Sequence, residues 1–318
     1  MNRIKVAFFG TSDRSVPILN ALHKDKTFEL SLCVTKSDTV VGRHQEHRET
    51  QVKTWAIENH VMTIATPNLK GAQLGTLVEQ FKTSEIEYAV VADFSFMIPY
   101  HLIEFFAGKL INIHFSLLPL YRGASPVQAA ILNGDDTTGI TYLLVDKKMD
   151  TGKIIHQIGY KMAGNETSGQ LYSILFDLAA ENLPYMLEQY HNGNLTPREQ
   201  DESKATYTFS TSHKESTFIY KEDAQINWKA TVKTIERLVR AYNPWPIAWT
   251  KLKELEGNKK LANPKIKLKP TVNSALKVKV YTASITENNL LMINELQIEG
   301  KNKMGWKAFE NGYVTQTH

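Results

Sequence analysis

Short apolar runs alternate with helix-length amphipathic stretches in the first half of the chain. The predicted strands are Ile4–Phe9, Leu30–Val34, Val61–Ala65, Tyr88–Ala92 and Leu110–Phe115. The predicted helices are Val16–His23, Val52–His60, Leu74–Phe81 and Tyr100–Phe106. Strands separated by helices favour parallel βαβ units in a sheet that is covered on both faces. Ligands of such sheets bind beyond the carboxyl ends of the strands.

The pattern changes beyond residue 139. Two extended segments, Ile140–Val145 and Lys153–Lys161, flank the loop Asp146–Gly152, and a long helix is predicted over Ser168–Tyr190 with Thr167 as its N-cap. The polar residues 191–213 predict a linker between a first domain at 1–190 and a second at 214–318. A helix at Ala230–Tyr242 opens the second domain. Period-two alternation at Lys265–Lys269 and Lys277–Val280 predicts a small antiparallel sheet or barrel there.

Composition is typical of a folded protein of two domains: the 318 residues are 42% hydrophobic and 22% charged. No window holds the roughly 18 apolar residues that a membrane span requires, and Ile4–Phe9 is too short and too charged for a signal peptide. The single cysteine, Cys33, excludes an internal disulfide and a multi-thiolate metal site. We therefore expect a reducing, cytoplasmic location and no membrane partner.

Charge is distributed unevenly along the chain. Residues 1–200 carry a net charge of −3, whereas residues 201–318 carry +7. Nine lysines between Lys251 and Lys279 face only two glutamates. Such a basic lobe suggests that one domain meets a polyanionic partner. The alternative is that these lysines lie on exposed strand faces and serve solubility.

Three polar side chains are candidates for chemistry. Asn112 and His114 lie two residues apart on a predicted strand, so their side chains point from the same face at its carboxyl end. A stiff loop with Pro119 and Pro126 follows, and Asp150 lies in the loop between the next two strands. An amide, an imidazole and a carboxylate form an acid–base and oxyanion set, although a lone strand histidine is more often a structural group.

Other chemistries have weaker support. Ser116 lacks the surroundings of a nucleophile elbow, which makes acyl-serine chemistry a weak alternative. His44 and His47 are three residues apart but have no third ligand at a convincing spacing. We therefore expect no metal.

Several longer stretches resemble the 10-formyltetrahydrofolate-dependent formyltransferases. Those that resemble the formyl-transfer core are Ile111–Pro119, Arg122–Gln128, Thr138–Thr141 and Asp150–Gly152. Arg240–Pro246 and Leu296–Met304 resemble the beginning and end of the second domain in members that act on methionyl-tRNA. The resemblance runs from residue 4 to about residue 313.

The resemblance implies a Rossmann-like α/β domain with a mostly parallel sheet, followed by a smaller OB-like β-barrel. It also implies an enzyme that transfers the formyl group of 10-formyltetrahydrofolate to the α-amino group of methionine on initiator tRNA, for translation initiation. Asn112, His114 and Asp150 would be catalytic. Asn112 would donate to the oxyanion on the formyl carbon, assisted by protonated His114, while Asp150 would hold His114 and accept the amine proton. We expect a monomer.

Binding residues are implied in the same way. The folate site would be formed by Ser116, Leu117, Leu118 and Pro119, with Phe94 and Ser95 in its wall. The tRNA would be contacted by Arg43, Lys251, Lys253, Lys265, Lys267 and Lys269.

The chain also departs from the family pattern. Gln45 and Glu46 replace expected lysines, Ser12 and Arg14 replace a proline and an aromatic residue, and Ser95 replaces a glycine. The second domain lacks the strand pair expected between Ala283 and Leu290, which implies a shortened barrel. Two other functions remain open: a sugar-nucleotide N-formyltransferase with the same core, and a non-catalytic folate- or tRNA-binding protein.

Overall fold

The chain forms two compact units in a computed structural model that describes residues 3–41 and 46–315. The first unit comprises Met1–Arg122, Thr137–Lys161 and Tyr172–Thr206; the second comprises Gly123–Asp136, Met162–Leu171 and Tyr207–His318. Each unit is thus built from several separate segments. Residues 191–206 of the predicted linker belong to the first unit.

The strands are β1 (Ile4–Phe9), β2 (Phe28–Lys36), β3 (Thr39–Val41), β4 (Glu46–Arg48), β5 (Met62–Thr66), β6 (Tyr88–Val91), β7 (Leu110–His114), β8 (Thr137–Leu144), β9 (Ile154–Lys161), β10 (Ala248–Lys251), β11 (Lys277–Ile285), β12 (Leu291–Ile298) and β13 (Met304–Gly305). The helices are α1 (Val16–Lys24), α2 (Gln51–Glu58), α3 (Gly71–Thr83), α4 (Tyr100–Phe106), α5 (Pro126–Asn133), α6 (Ser168–His191), α7 (Val232–Ala241) and α8 (Trp306–Tyr313).

A seven-stranded sheet in the order β5-β2-β1-β6-β7-β8-β9 forms the centre of the first unit. The strands β5, β2, β1, β6 and β7 are parallel, and β8 and β9 are added antiparallel. The chain builds one side of β1 before it returns to pair β6 on the other side. This reversal is a topological switch point, where α/β sheets open a crevice at the carboxyl ends of their strands. The predicted mostly parallel α/β domain is confirmed.

Apolar side chains of the strands and helices close over this sheet. Phe9 of β1 packs against Phe81 of α3 with ring centroids 5.9 Å apart, and Leu102 of α4 is fully buried in the same cluster. Cys33 on β2 is also fully buried, and burial raises the pKa of its thiol to about 12. These residues fix the sheet that carries the candidate site.

The second unit contains a four-stranded antiparallel sheet in the order β10-β11-β12-β13. Strands β11 and β12 are joined by a tight turn in which the N–H of Thr286 donates to the carbonyl of Leu290 at 2.9 Å. Helix α7 buries Val232, Ile235 and Val239 in the core of this unit. Their spacing places them on one helix face. The prediction of a smaller, barrel-like β domain after the α/β domain is confirmed.

The predicted N-cap of α6 is also confirmed. The Thr167 hydroxyl accepts from the N–H of Gln170 at 3.3 Å, and the Gln170 side chain accepts from the N–H of Thr167 at 2.9 Å. This reciprocal pair is a capping box, which satisfies two backbone donors at the start of the helix.

The predicted strand at Lys265–Lys269 is wrong. Ile266 and Leu268 are buried while Lys265 and Lys267 are exposed, as the alternation indicates, but the backbone forms a single β-bridge between Leu268 and Val314. Pro264 and Pro270 flank the segment and have no N–H to donate to a ladder. The alternation therefore predicts which side chains are buried, but the backbone of this segment is not a regular strand.

Two further elements escaped prediction. The polar stretch Thr35–Thr50 contains the two-stranded pair β3–β4, with Thr39 opposite Arg48. Pro126, which is predicted as part of a stiff loop, is the first residue of helix α5. Proline at the first helical position is itself a helix-start signal.

Candidate active site

Strand β7 presents an amide and an imidazole at its carboxyl end. Asn112 pairs with Val91 of β6 and Leu143 of β8, while His114 lies two residues further on, opposite Thr141. Because alternate residues of a strand point to the same side, both polar side chains emerge on one face, and Ile113 between them is buried on the other. His114 is itself only 5% exposed, so its polar atoms require partners within the protein.

Asp150 meets both of these side chains. Its Oδ1 lies 3.4 Å from Nδ2 of Asn112, and its Oδ2 lies 3.5 Å from Nδ1 of His114. The loop that carries Asp150 connects β8 to β9, and its backbone is left-handed at this residue, with φ of 56°. The structure thus brings together the amide, imidazole and carboxylate that the sequence singles out.

A backbone carbonyl determines the tautomer of His114. Nε2 lies 2.9 Å from the carbonyl oxygen of Tyr121, which can only accept, so Nε2 carries the hydrogen. Nδ1 is therefore the ring nitrogen that faces the Asp150 carboxylate, at 3.5 Å from Oδ2.

The loop after β7 is held by its own hydrogen bonds. The Ser116 hydroxyl donates to the carbonyl of Leu120 at 2.6 Å, and the Thr141 hydroxyl donates to the carbonyl of Ser116 at 2.6 Å. Ser116 and Leu118 are buried, whereas Leu117 and Pro119 are partly exposed. An apolar ligand at this loop would therefore meet the side chains of Leu117 and Pro119.

The segments that follow β1 and β6 contact each other at the carboxyl edge of the sheet. Phe94 packs edge-on against Phe9 with centroids 5.4 Å apart, and the N–H of Ser95 donates to the Thr11 hydroxyl at 3.1 Å. These contacts join the two segments that follow the strands on either side of the switch point. Phe94 is half-buried and Ser95 is exposed.

Arg14 lies at the same sheet edge and is paired there. Its Nη2 is 2.6 Å from Oδ2 of Asp93, and its Cζ lies 4.1 Å from the ring centroid of Tyr172. A cation over an aromatic face and against a carboxylate is held in a defined place. The charge of Arg14 is compensated by Asp93.

The basic residues predicted for tRNA differ in their surroundings. Lys251, Lys253, Lys265 and Lys267 are exposed on the second unit. Lys269 instead donates to the carbonyls of Asn311 and Gly312, at 2.8 and 3.1 Å, at the end of α8. Arg43 lies outside the described residues.

Sequence reasoning missed two side chains that hold the backbone of the candidate site. Gln157 donates to the carbonyl of Leu118 at 2.8 Å, and Gln200 donates to the carbonyls of Asp150 and Gly152 at 2.7 and 2.8 Å. Neither glutamine lies in a pattern that indicates a role. Gln200 falls within the stretch that polarity predicts as a linker.

Within residues 3–41 and 46–315, no group of three or more His, Cys, Asp and Glu side chains is arranged to hold a metal ion. No helix in these ranges is both long and apolar enough to cross a bilayer. A groove of about 640 Å³ in the second unit contains Arg240, which is paired with Glu236 at 2.6 Å. None of the three candidate catalytic side chains lines it.

The carboxyl edge of a doubly wound sheet thus carries an amide and an imidazole that both contact one carboxylate. The chain belongs to the formyl transferase family. Residues 2–187 match the formyl transferase domain, and residues 218–314 match the formyl transferase C-terminal domain.

The chain is similar to a particular member of this family over nearly its whole length. It is 33% identical to methionyl-tRNA formyltransferase of Bacillus cytotoxicus, and the match covers 97% of this chain and 96% of that protein.

Solved structures share the fold at lower identity. Methionyl-tRNA formyltransferase from Clostridium thermocellum is 17% identical, with a TM-score of 0.56 over 93% of this chain and 98% of that one. The N-formyltransferase of Helicobacter canadensis, in complex with folinic acid and dTDP-3-aminofucose, is 20% identical, with a TM-score of 0.57 over 99% of this chain and 100% of that one. Fold likeness alone does not distinguish a tRNA acceptor from an amino-sugar acceptor.

Proposed function

We propose that this protein transfers the formyl group of 10-formyltetrahydrofolate to the α-amino group of methionine on initiator tRNA. The observation that carries the proposal is the convergence of Asn112, His114 and Asp150 within 3.5 Å contacts, in a unit of the formyl transferase family. The match to methionyl-tRNA formyltransferases spans both domains and therefore favours this acceptor. The proposal includes a cytoplasmic location, which the single cysteine supports because it cannot form an internal disulfide.

10-formyltetrahydrofolate is a substrate of this reaction and supplies the formyl group. The residues at the sheet edge fit such a donor, since Leu117, Pro119 and Phe94 offer apolar surface beside the polar site. Ligand sites of this kind combine apolar walls with a few placed polar groups. Ser116, Leu118 and Ser95 contribute through their backbone and through the hydrogen bonds that hold the loops.

Asn112 stabilises the oxygen that gains negative charge as the amine adds to the formyl carbon. A side-chain amide carries two hydrogens, so the contact with Asp150 leaves the second for this oxygen. A preorganised donor of this type is worth about 3–4 kcal/mol of transition-state stabilisation. Protonated His114 adds positive charge at the same place.

Asp150 and His114 manage the proton that the amine must lose. The amine attacks in its neutral form, and its proton passes to the Asp150 carboxylate directly or through one water. The bond between the formyl carbon and N10 of the folate then breaks, and tetrahydrofolate leaves with that proton on N10. His114 cannot turn its ring, because Nε2 is fixed on the carbonyl of Tyr121. The imidazole therefore always offers Nδ1 to Asp150.

The second domain contributes affinity for the tRNA backbone. Residues 201–318 carry a net charge of +7, and Lys251, Lys253, Lys265 and Lys267 are exposed. Phosphate contacts of this kind position a nucleic acid without reading its sequence. We assign catalysis to the domain at 1–190 and tRNA binding to the domain at 214–318, with Arg43 and Lys269 as further candidates for phosphate contacts.

The test presents two amines to the purified protein. With 10-formyltetrahydrofolate, we expect formylation of methionyl initiator tRNA and none of a dTDP-amino sugar, with mass spectrometry as the readout. A formylated sugar with unmodified tRNA would replace the proposal with a sugar-nucleotide N-formyltransferase. Folate binding with neither amine formylated would leave a binding protein.

A further inference from the structure

The segment Arg198–Thr206, which polarity predicts as part of a linker, is tied to the first unit at both ends. Arg198 forms a two-way backbone bridge with Ile154, with N–O distances of 2.8 and 2.9 Å. At the other end, the N–H of Thr206 donates to the carbonyl of Pro119 at 3.1 Å, and its carbonyl accepts from the N–H of Arg122 at 2.8 Å. The segment thus connects the loop after β7 with the start of β9.

Gln200 lies at the centre of this segment with its side-chain amide fully engaged. Nε2 donates to the carbonyls of Asp150 and Gly152, at 2.7 and 2.8 Å, which uses both of its hydrogens. Oε1 accepts from Nε and Nη2 of Arg122, at 3.1 and 2.8 Å. A flipped amide would place its oxygen against two carbonyls and its hydrogens against a guanidinium, so the orientation is determined.

Arg122 makes this orientation rigid. Its side chain is fully buried, and its guanidinium also forms a bidentate pair with the Glu202 carboxylate, at 2.9 Å from Nη1 and 2.6 Å from Nη2. Hydrogen bonds from Arg122 lower the pKa of Glu202. A buried guanidinium is held only where hydrogen-bonding partners compensate for its desolvation, and here the Gln200 oxygen is one of them.

The loop that Gln200 holds, between β8 and β9, has a backbone that requires stabilising contacts. Asp150 has a left-handed backbone that non-glycine residues rarely adopt. At Gly152, a Cβ would collide with the carbonyl oxygen of Leu144, so the chain passes too close to β8 to accept a side chain. The contacts of Asp150 with Asn112 and His114 are already 3.4 and 3.5 Å long. A small shift of the loop would move them beyond hydrogen-bond range.

We propose that Gln200 is a positioning residue, which clamps the carbonyls of Asp150 and Gly152 and thereby holds the Asp150 carboxylate against His114 and Asn112. The proposal rests on the formyl-transfer function proposed above. It assigns a role in catalysis to a segment that contacts no reacting atom. Misplacement of a catalytic group by about 1 Å costs up to about 100-fold in rate, which sets the size of the expected effect.

Two substitutions distinguish a role of Gln200 in holding the carbonyls of Asp150 and Gly152 from a role only as a partner of Arg122. Gln200→Glu keeps an acceptor for Arg122 but replaces both donors with an oxygen that faces the two carbonyls. Gln200→Ala removes both contacts. Gln189→Glu is the matched control, because its amide oxygen accepts from Asn194 at 2.8 Å on an exposed part of α6.

In kinetics, we expect both Gln200 variants to lose about 10- to 100-fold in kcat. The KM of Gln200→Glu for 10-formyltetrahydrofolate should stay close to that of the wild type, and Gln189→Glu should be normal in every respect. Normal kcat in Gln200→Glu overturns the proposal, even if Gln200→Ala is unstable, because anchoring to Arg122 would then be the whole role.

A second measurement needs no turnover. In ¹⁵N-histidine NMR, the Nδ1 signal of His114 should move in Gln200→Glu towards its position in Asp150→Asn, because both variants remove the carboxylate from the ring. An unchanged signal overturns the proposal. If the wild type fails to formylate methionyl-tRNA, the proposed function falls, while this spectrum still decides where Gln200 places Asp150.

Discussion

At the scale of single residues, the sequence indicates which groups carry the chemistry but not what orients them. Asn112 and His114 are found from their spacing on a strand, because side chains two apart share a face. The contact of Asp150 with these two side chains depends on how β8 and β9 pair. The resemblance to the formyltransferases implies this contact, whereas the hydropathy pattern does not. A hydropathy pattern does not indicate that the carbonyl of Tyr121 contacts His114 or that the amide of Gln200 contacts Asp150.

Removal of the Asn112 amide tests the oxyanion role. We expect Asn112→Ala to lower kcat by about 100- to 1000-fold, since a donor aimed at a developing oxyanion contributes about 3–4 kcal/mol. The measurement is single-turnover formylation of methionyl-tRNA at saturating 10-formyltetrahydrofolate. Asn182→Ala, which removes a helix-surface amide bonded to the carbonyl of Leu178, should be unaffected. Near-normal turnover of Asn112→Ala with the donor bound would exclude Asn112 from the mechanism.

At the scale of elements, hydrophobic periodicity predicts the buried strands and long helices well. It fails for segments whose structure depends on contacts with other parts of the chain. The pair β3–β4 is polar, and the segment Lys265–Lys269 alternates without a ladder because prolines flank it. Irregular segments are held instead by particular side chains, as the one around Asp223 shows.

Asp223 organises the loop that precedes α7. Its carboxylate is 6% exposed and accepts from the hydroxyls of Ser210 and Thr211 and from the N–H groups of Ser212 and Tyr220, at 2.7 to 2.9 Å. Burial opposes ionisation, but these hydrogen bonds, together with that of the Ser212 hydroxyl, outweigh it and lower the pKa of Asp223 to about 2. The ionised form is therefore the one that the folded loop stabilises.

Asp223→Asn should destabilise the protein by about 1–2 kcal/mol at pH 7. Because the folded pKa lies below the ordinary value of 3.8, this contribution is complete above about pH 5 and is lost as the pH falls towards 2. Urea unfolding of both proteins at several pH values measures the difference. The exposed Glu215→Gln in the same segment serves as the control. A difference that is constant down to pH 3 would contradict the assignment.

At the scale of the whole molecule, the sequence predicts two domains in series, each with its own chemistry. The structure instead assembles each unit from separate stretches, with residues 123–136 and 162–171 grouped with the carboxy-terminal part. Nothing in the order of apolar runs indicates this, because contact between distant segments depends on packing. The asymmetry of charge is visible in the sequence alone and leads to the most direct test of tRNA binding.

The double variant Lys265→Gln, Lys267→Gln should bind tRNA more weakly and depend less on salt. Each lost phosphate contact lowers the slope of log affinity against log salt by about 1. Filter binding or fluorescence anisotropy across a salt series measures this slope. Lys70→Gln with Lys82→Gln removes two exposed charges from the first unit and should leave the slope unchanged. Equal slopes for the double variant and the wild type would remove these lysines from the interface.

The thiol of Cys33 on β2 can report when the sheet of the first unit opens. With its pKa near 12 and no exposed surface, Cys33 presents almost no thiolate to solvent at neutral pH. A maleimide can therefore react only when β2 separates from its neighbours, and the labelling rate counts those openings. We expect the native protein to label far more slowly than the same chain in urea, as followed by intact mass. Immediate stoichiometric labelling would show that this strand opens freely, and any ligand that slows labelling is stabilising the sheet on which catalysis depends.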